Sequence, residues 1–507
     1  MTAMRSLVSR WHRAALCLTL LLCLAAACSV LLDRGAHQCE TDADCAAFGG
    51  HPSCAQHVCV ASGLGPDGCF AGTPTTPLQL ANQCSTYKCE AFDNCKRLGL
   101  CKPTDAVPTP LSPPDAGAGP PPADAPAPPA TPCVDGSKNV VVVSGSTAIQ
   151  PFFAVLAPIL AAGSPAYQIV FQPSGSCAGV DTQLNPDSGK RTIKDLPGRP
   201  ALLYDATGAP TECTLGAAGQ VTDVGVSDVF ASSCVASYAP SATVAEYLGP
   251  IQPMTFVVPA GSSQTAISAE MGHVVFGRGA QDPASAPWTD PALYLVRNSG
   301  SGTQQMLARA ISIDAKKWWG TDAGSSGKVR DTLKAVASTR ADNAIGILST
   351  DIADAERGRL RILAFQAEQQ LCGYYPDSSP FSRDKAAVRD GHYTVWGPLH
   401  FYAQVNNGVP TSAGAQALLT RFTLTKLDKP LLDAIIKIGL IPTCAMKVQR
   451  KVEMGPISAF SPDYQCGCYY EATVEGGAAS PSCKPCAGPS ECPADKPACN
   501  LGYCEQR

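Results

Sequence analysis

Three times between residues 140 and 311, an apolar run of strand length breaks into a Ser/Gly loop that opens a helix. Val140–Val143 leads into Ser144-Gly145-Ser146-Thr147 and a helical pattern from Ile149 to Ala162. Ile169–Phe171 leads into Ser174-Gly175-Ser176-Cys177-Ala178-Gly179-Val180. Leu293–Val296 leads into Arg297-Asn298-Ser299-Gly300-Ser301-Gly302-Thr303, followed by Met306, Leu307 and Ile311 at helical spacing. Each junction presents unpaired backbone N–H groups, hydroxyls and the positive end of a helix dipole to one point, an arrangement that suits an oxyanion. Taken singly, each is also an ordinary helix cap. A fourth run, Val224-Gly225-Val226-Ser227-Asp228, ends a strand in a carboxylate.

Further apolar runs at Met254–Val258, Asn343–Leu348 and Tyr393–Val405 read as strands, and Ala266–Phe276, Ala413–Leu424 and Pro430–Leu440 read as helices. The alternation predicts an α/β fold on a largely parallel sheet, long enough for two lobes. With 45% hydrophobic and 16% charged residues the chain is globular in composition. A formal charge of −4 and no basic run argue against nucleic acid as a partner.

The 25 cysteines and 44 prolines are the unusual counts. Arg5, Arg10 and Arg13 precede the apolar stretch Ala14–Ala27, which is short for a membrane span. It ends Leu24-Ala25-Ala26-Ala27-Cys28, which resembles a bacterial lipoprotein signal: residues 1–27 would be removed and Cys28 would carry the lipid anchor. Ala25-Ala26-Ala27 also suits ordinary signal peptidase, so soluble secretion is the competing expectation. Export makes disulfides the default. Residues 39–101 form a Cys-rich region with too few large apolar residues to fold unstapled, and residues 463–507 form another. The spacing Cys39-x5-Cys45-x8-Cys54-x4-Cys59 returns as Cys486-x5-Cys492-x6-Cys499-x4-Cys504, with Asp44 and Glu491 before the second cysteine of each. We read two copies of one module. Zinc at Cys483-Lys484-Pro485-Cys486 or Cys466-Gly467-Cys468 is the weaker alternative in an exported chain. Residues 102–132 are a linker; Pro fills 12 positions of 103–132, a composition that favours extended polyproline.

From about Lys138 to Lys447 the motifs, in order, resemble the phosphate-binding substrate-binding proteins of bacterial ABC transporters. Ser144–Thr147 looks like that family's first phosphate loop and Gly175–Val180 like its second. Gly225–Asp228 looks like its Ser-Asp turn and Arg297–Thr303 like its Arg-x-x-Gly-Ser-Gly-Thr loop. Ile267–Gly277 and Ala344-Ile345-Gly346 match a helix and a strand. The resemblance implies a two-lobed type II periplasmic-binding-protein fold over 134–450. Lobe I would take about 138–253 and 396–450, and lobe II about 254–395. Crossovers are expected near Gln252–Val258 and Asp390–Val405. It further implies that Thr147, Ser176, Ser301 and Thr303 donate hydroxyls to phosphate, and that the amides of Gly302 and Thr303 donate from the helix start. Arg297 would supply the positive charge, and Asp228 would accept the proton of hydrogen phosphate, rejecting a fully ionised anion. An ABC permease is the implied partner, and no cofactor or metal is implied. The extra residues between Val180 and Val224 include a hairpin at 201–208 and Cys213. Cys177, beside Ser176, is expected to bond to Cys213 or Cys234.

The chain does not read as an enzyme: it has no Gly-x-Ser-x-Gly elbow, and its seven histidines do not cluster with carboxylates. His273, His392 and His400 read as packing or surface residues. Trp318-Trp319 and Tyr374-Tyr375 read as core rather than cleft. The alternative from another class is a cell-surface adhesion or scaffold lipoprotein that reuses a binding-protein fold without transport.

Overall fold

The computed structural model describes residues 39–47, 53–55, 58–60, 69–102, 105–113, 131–422 and 428–507. The signal segment 1–27, Cys28 and the middle of the linker lie outside the described residues. The described residues divide into two compact units: those up to Thr75 with Asn82–Ser85, and Thr76–Ala81 with Thr86–Arg507.

In the first unit Cys39 bonds to Cys54 and Cys45 to Cys59, across a hairpin of Ser53–Ala55 and Val58–Val60. The far end of the chain repeats this pairing. Cys486 bonds to Cys499 and Cys492 to Cys504, on a hairpin of Ala498–Asn500 and Tyr503–Glu505. The acidic residues before the second cysteines also match in role. Asp44 accepts from the amide of Glu40 at 2.9 Å, and Glu491 accepts from that of Ala487 at 2.8 Å; each donor directly follows the module's first cysteine. The modules therefore share connectivity as well as spacing. The sulfur groups at Cys39, Cys45 and Cys59 and at Cys486, Cys492 and Cys504 gather because two disulfides stack. Cys483 bonds to Cys468 and Cys466 to Cys444, so neither the CxxC nor the CxC holds thiolates for zinc.

The second unit is built on strands β1 (Val140–Gly145), β2 (Gln168–Gln172), β3 (Ala201–Tyr204), β4 (Pro210–Cys213), β5 (Val224–Ser227), β6 (Val244–Pro259), β7 (Tyr294–Val296), β8 (Thr321–Asp322), β9 (Ile345–Ser349) and β10 (Trp396–Asn406). They form one sheet in the order β8-β7-β9-β6-β10-β5-β1-β2-β3-β4. This sheet is mixed, where the alternation of elements predicts a largely parallel one. The parallel pairs are β1–β2, β1–β5, β7–β8 and β7–β9. The two long strands β6 and β10 run antiparallel to their neighbours, because each returns the chain from one lobe to the other.

Lobe I packs helix α1 (Gln150–Ala161) on β1, β2 and β5 through Phe152, Phe153 and Leu156, with Phe171, Val226 and Phe401 opposite. Lobe II has its own core of Phe256, Phe276, Trp288, Tyr294, Met306 and Ile347. The chain passes between them at Gln252–Met254, where β6 leaves β10 and joins β9, and at Val395, whose carbonyl accepts from Met254. A third passage follows Leu440. Ile441 exchanges backbone hydrogen bonds with Ile251, and Lys447 bonds to Arg389 of lobe II. Cys466, Tyr470 and Val474 of the C-terminal segment are buried within the lobe II core. The helix that carries them, Gly467–Thr473, also touches lobe I: the Tyr469 hydroxyl donates to Asp433 at 2.5 Å.

Helix α2 (Ser176–Leu184) lies almost against the backbone of β1 and β5. A Cβ at Gly179 would stand 2.6 Å from Gly145 Cα, Ser144 O and Val226 O. These neighbours are backbone and cannot rotate away. We therefore predict that Gly179→Ala lowers unfolding free energy in urea by about 1–3 kcal/mol; an unchanged midpoint would contradict the close approach.

Candidate functional site

The three junctions meet at one place between the lobes. At the end of β1, Ser146 caps a short 3-10 turn, its hydroxyl accepting from the Ala148 amide at 3.1 Å and donating to Asp228 Oδ2 at 2.7 Å. Thr147 follows, and its hydroxyl accepts from Arg297 Nη1 at 3.2 Å. At the second junction Ser176 opens α2; its hydroxyl donates to Asp228 Oδ2 at 3.3 Å and accepts from the Gly302 amide at 3.0 Å. The next amide, of Cys177, crosses to Gly300 O at 3.0 Å.

From lobe II comes the loop between β7 and helix α3 (Gly302–Ala310). The Arg297 amide donates to Gln304 Oε1 at 2.8 Å, which ties the end of the strand to the start of the helix. Ser301 is the N-cap residue, but its side chain makes no capping bond. A Cβ on Gly302 would stand 2.5 Å from Ser176 Oγ and 2.7 Å from Asp228 Oδ2, so only glycine lets the lobes meet this closely.

All seven residues singled out from the sequence, Thr147, Ser176, Asp228, Arg297, Ser301, Gly302 and Thr303, are buried at this junction. Two more belong with them. Ser146 holds Asp228, as above. Ser326 Oγ accepts from Arg297 Nη1 at 2.8 Å and lies 3.3 Å from Thr147 Oγ1. Ser326 begins the helix Ser326–Lys334 after β8, through Ala323-Gly324-Ser325. It is a fourth strand–Gly/Ser–helix junction, and its signal in the sequence is faint because β8 has only 2 residues.

The electrostatics are those of a closed site. Burial pushes the Asp228 carboxyl up to about 6, against the pull of the Ser146 hydroxyl and the Arg297 charge. Burial likewise brings Arg297 down to about 10, with Asp322 and Asp228 opposing. Among the described residues these two make no direct ion pair; each is held by neutral groups, and Arg297 Nη2 reaches Gly324 O at 3.3 Å. Asp228 Oδ1, Arg297 Nε and Thr303 Oγ1 are buried without a hydrogen-bond partner, an uncommon condition for buried polar atoms.

Cys177 bonds to Cys234, and Cys213 to Cys133. The first disulfide ties the start of α2 to the segment just after Asp228. His400 is fully buried with Nδ1 2.7 Å from Glu246 Oε1. Trp318 stacks on Phe276 in the lobe II core, and Tyr374 and Tyr375 are buried.

No protein family matches the sequence, and no curated protein does. Among solved structures the chain is similar to a phosphate ABC transporter substrate-binding protein with bound phosphate from Clostridium perfringens, at 14% identity and a TM-score of 0.42, covering 60% of this chain and 100% of that one. An ABC-type phosphate transport receptor from Vibrio cholerae gives 14% identity and 0.39, with 60% and 100% covered. The reduced OxyR regulatory domain from Pseudomonas aeruginosa gives 10% and 0.30, with 59% and 97% covered. With scores this low, the strand order and the passages between lobes are what define the architecture: a mixed α/β fold of two lobes.

Asp228 yields a prediction whose sign follows from burial. Its carboxyl lies at about 6 in the folded chain against an ordinary 3.8. The folded state thus holds the proton more tightly than the unfolded state. That stabilisation is complete below the unfolded value and is lost as pH rises through about 6. Relative to wild type, Asp228→Asn should gain stability between pH 4 and pH 7.5 by on the order of 2 kcal/mol in urea titrations. A difference that stays constant with pH would contradict the buried, ionisable assignment.

Proposed function

We propose that this chain is an extracytoplasmic solute-binding protein that takes phosphate or a similar oxyanion between its lobes. It would be anchored through Cys28 and would deliver its guest to an ABC permease; it is a binding protein, not an enzyme. One observation carries the reading. A buried guanidinium, two hydroxyl-bearing helix starts of lobe I and a glycine-opened helix start of lobe II meet around one buried carboxylate, with a polar atom left unpartnered on Asp228, Arg297 and Thr303. An anion between Arg297 and Asp228 would give the cation a counter-charge, and a proton on that anion would satisfy the carboxylate. The 11 disulfides among the described residues belong to an oxidising compartment. No described helix is long and apolar enough to cross a membrane.

The second reading, a surface scaffold that keeps the fold without transport, draws support from the closure itself. The groups that would bind an anion are bonded to one another across the cleft, and the C-terminal helix grips both lobes.

Calorimetry of the mature protein with phosphate and with sulfate separates the two. Uptake predicts micromolar or tighter phosphate binding, sulfate at least about 100-fold weaker, loss of binding in Arg297→Ala, and loss of the phosphate-over-sulfate preference in Asp228→Asn. Absence of heat with either anion would favour the scaffold.

A further inference from the structure

Gln252 stands where β6 passes from one lobe to the other, and it is buried with both amide hydrogens in use. Its Nε2 donates to Ala148 O in lobe I at 3.2 Å and to Asp351 Oδ1 in lobe II at 3.0 Å. Ala148 directly follows Thr147 and shares its 3-10 turn. Asp351 lies in the short helix Thr350–Asp354 that follows β9. One side chain thus joins the first anion-facing loop, the crossover strand and the opposite lobe. The two donations fix which way the amide faces, and its oxygen is left without a partner. Beside it Asp351 Oδ2 and the hydroxyls of Ser349 and Thr350 are also buried and unpartnered.

We propose that Gln252 is a positioning residue for the anion site, holding the Ser146–Ala148 turn against lobe II, and that Asp351 makes this hold depend on pH. The proposal rests on the site assigned above but not on the identity of its guest.

Asp351 is covered from lobe I by Ala148's partner Gln252 and by Gly439, where a Cβ would lie 3.9 Å from Asp351 Cα. Its charge feels Asp354 on the same helix, and Arg330, Arg383, Lys437 and Glu475 line the adjoining cavity of about 310 Å³. Burial pushes the carboxyl up to about 7, with Asp354 adding to the shift and the Gln252 hydrogen bond opposing it. A carboxyl raised in the closed arrangement favours that arrangement while protonated, and the advantage is lost as pH rises through about 7.

The test is amide hydrogen exchange of residues 146–150 in the ligand-free mature protein from pH 5 to pH 8, corrected for the chemical exchange rate. In wild type the open fraction should rise at least about tenfold over that range. In an Asp228→Asn background, where the carboxyl that holds Ser146 no longer titrates, Asp351→Asn, which keeps an acceptor for Gln252, should remove the slope. Gln252→Glu, which sets a carboxylate against Ala148 O and Asp351, should leave the segment unprotected at pH 8. A slope that persists in Asp351→Asn on that background, or wild-type protection in Gln252→Glu, overturns the proposal. If Gln252→Glu does not fold, the Asp351→Asn slope decides. Because no anion is present, failure of phosphate to bind in calorimetry counts against the function and not against this hold.

Discussion

Arg297 is the charge on which the closed arrangement turns. Its side chain is 3% exposed, and its hydrogen bonds go to the hydroxyls of Thr147 and Ser326 and to the carbonyl of Gly324. Removing a guanidinium from water without pairing it costs several kcal/mol. Hydroxyls and carbonyls compensate in part, being dipoles and not charges. Everything near the site reflects this need. The helix starts point positive ends inward, yet the Asp228 carboxylate is held by Ser146 and Ser176. Under the proposed function, an anion beside Arg297 would make each of these choices consistent.

The local grammar of the site was legible in the sequence because each piece is local. A strand, a Ser/Gly loop and a helix start occupy about ten consecutive residues, and a carboxylate at a strand end needs only its neighbours to be noticed. What was not legible depends on returns from far along the chain. The mixed sheet follows from β6 and β10 running back between lobes, which no window of sequence reveals. The partner of Cys177 depended on which segment folds beside Ser176. Ser326 escaped notice because its strand is only two residues long. Ser146 escaped because a first-loop serine looks like a cap, and it is one; that it also binds Asp228 appears only in three dimensions.

The cysteine modules show both sides of that limit. Their shared spacing, and the acid before the second cysteine, point to two copies of one module, while the common pairing within them appears only in the structure. Their packing was hidden. Cys89, from the front cysteine region, bonds to Cys372. Tyr470, between two disulfides at the other end, is buried beneath Arg389, whose guanidinium carbon lies 4.8 Å from its ring centroid. Arg389 also reaches Glu471 at 3.0 Å. With Tyr469 on Asp433, this helix ties the lobes at a point away from the crossover strands. Opening about the crossovers would break these contacts as well as those at the site, so the proposed function carries with it a slower exchange of guest than in a freely hinged pair of lobes.

The most direct test is a crystal structure of the mature protein grown with phosphate. The account predicts a tetrahedral anion between Arg297 and Asp228, accepting from Arg297 and Thr303, with the direct contacts of Arg297 to Thr147 and of Gly302 to Ser176 replaced by contacts to the anion. Clear density for these side chains in their present direct contacts, with no anion between them at saturating phosphate, would contradict it.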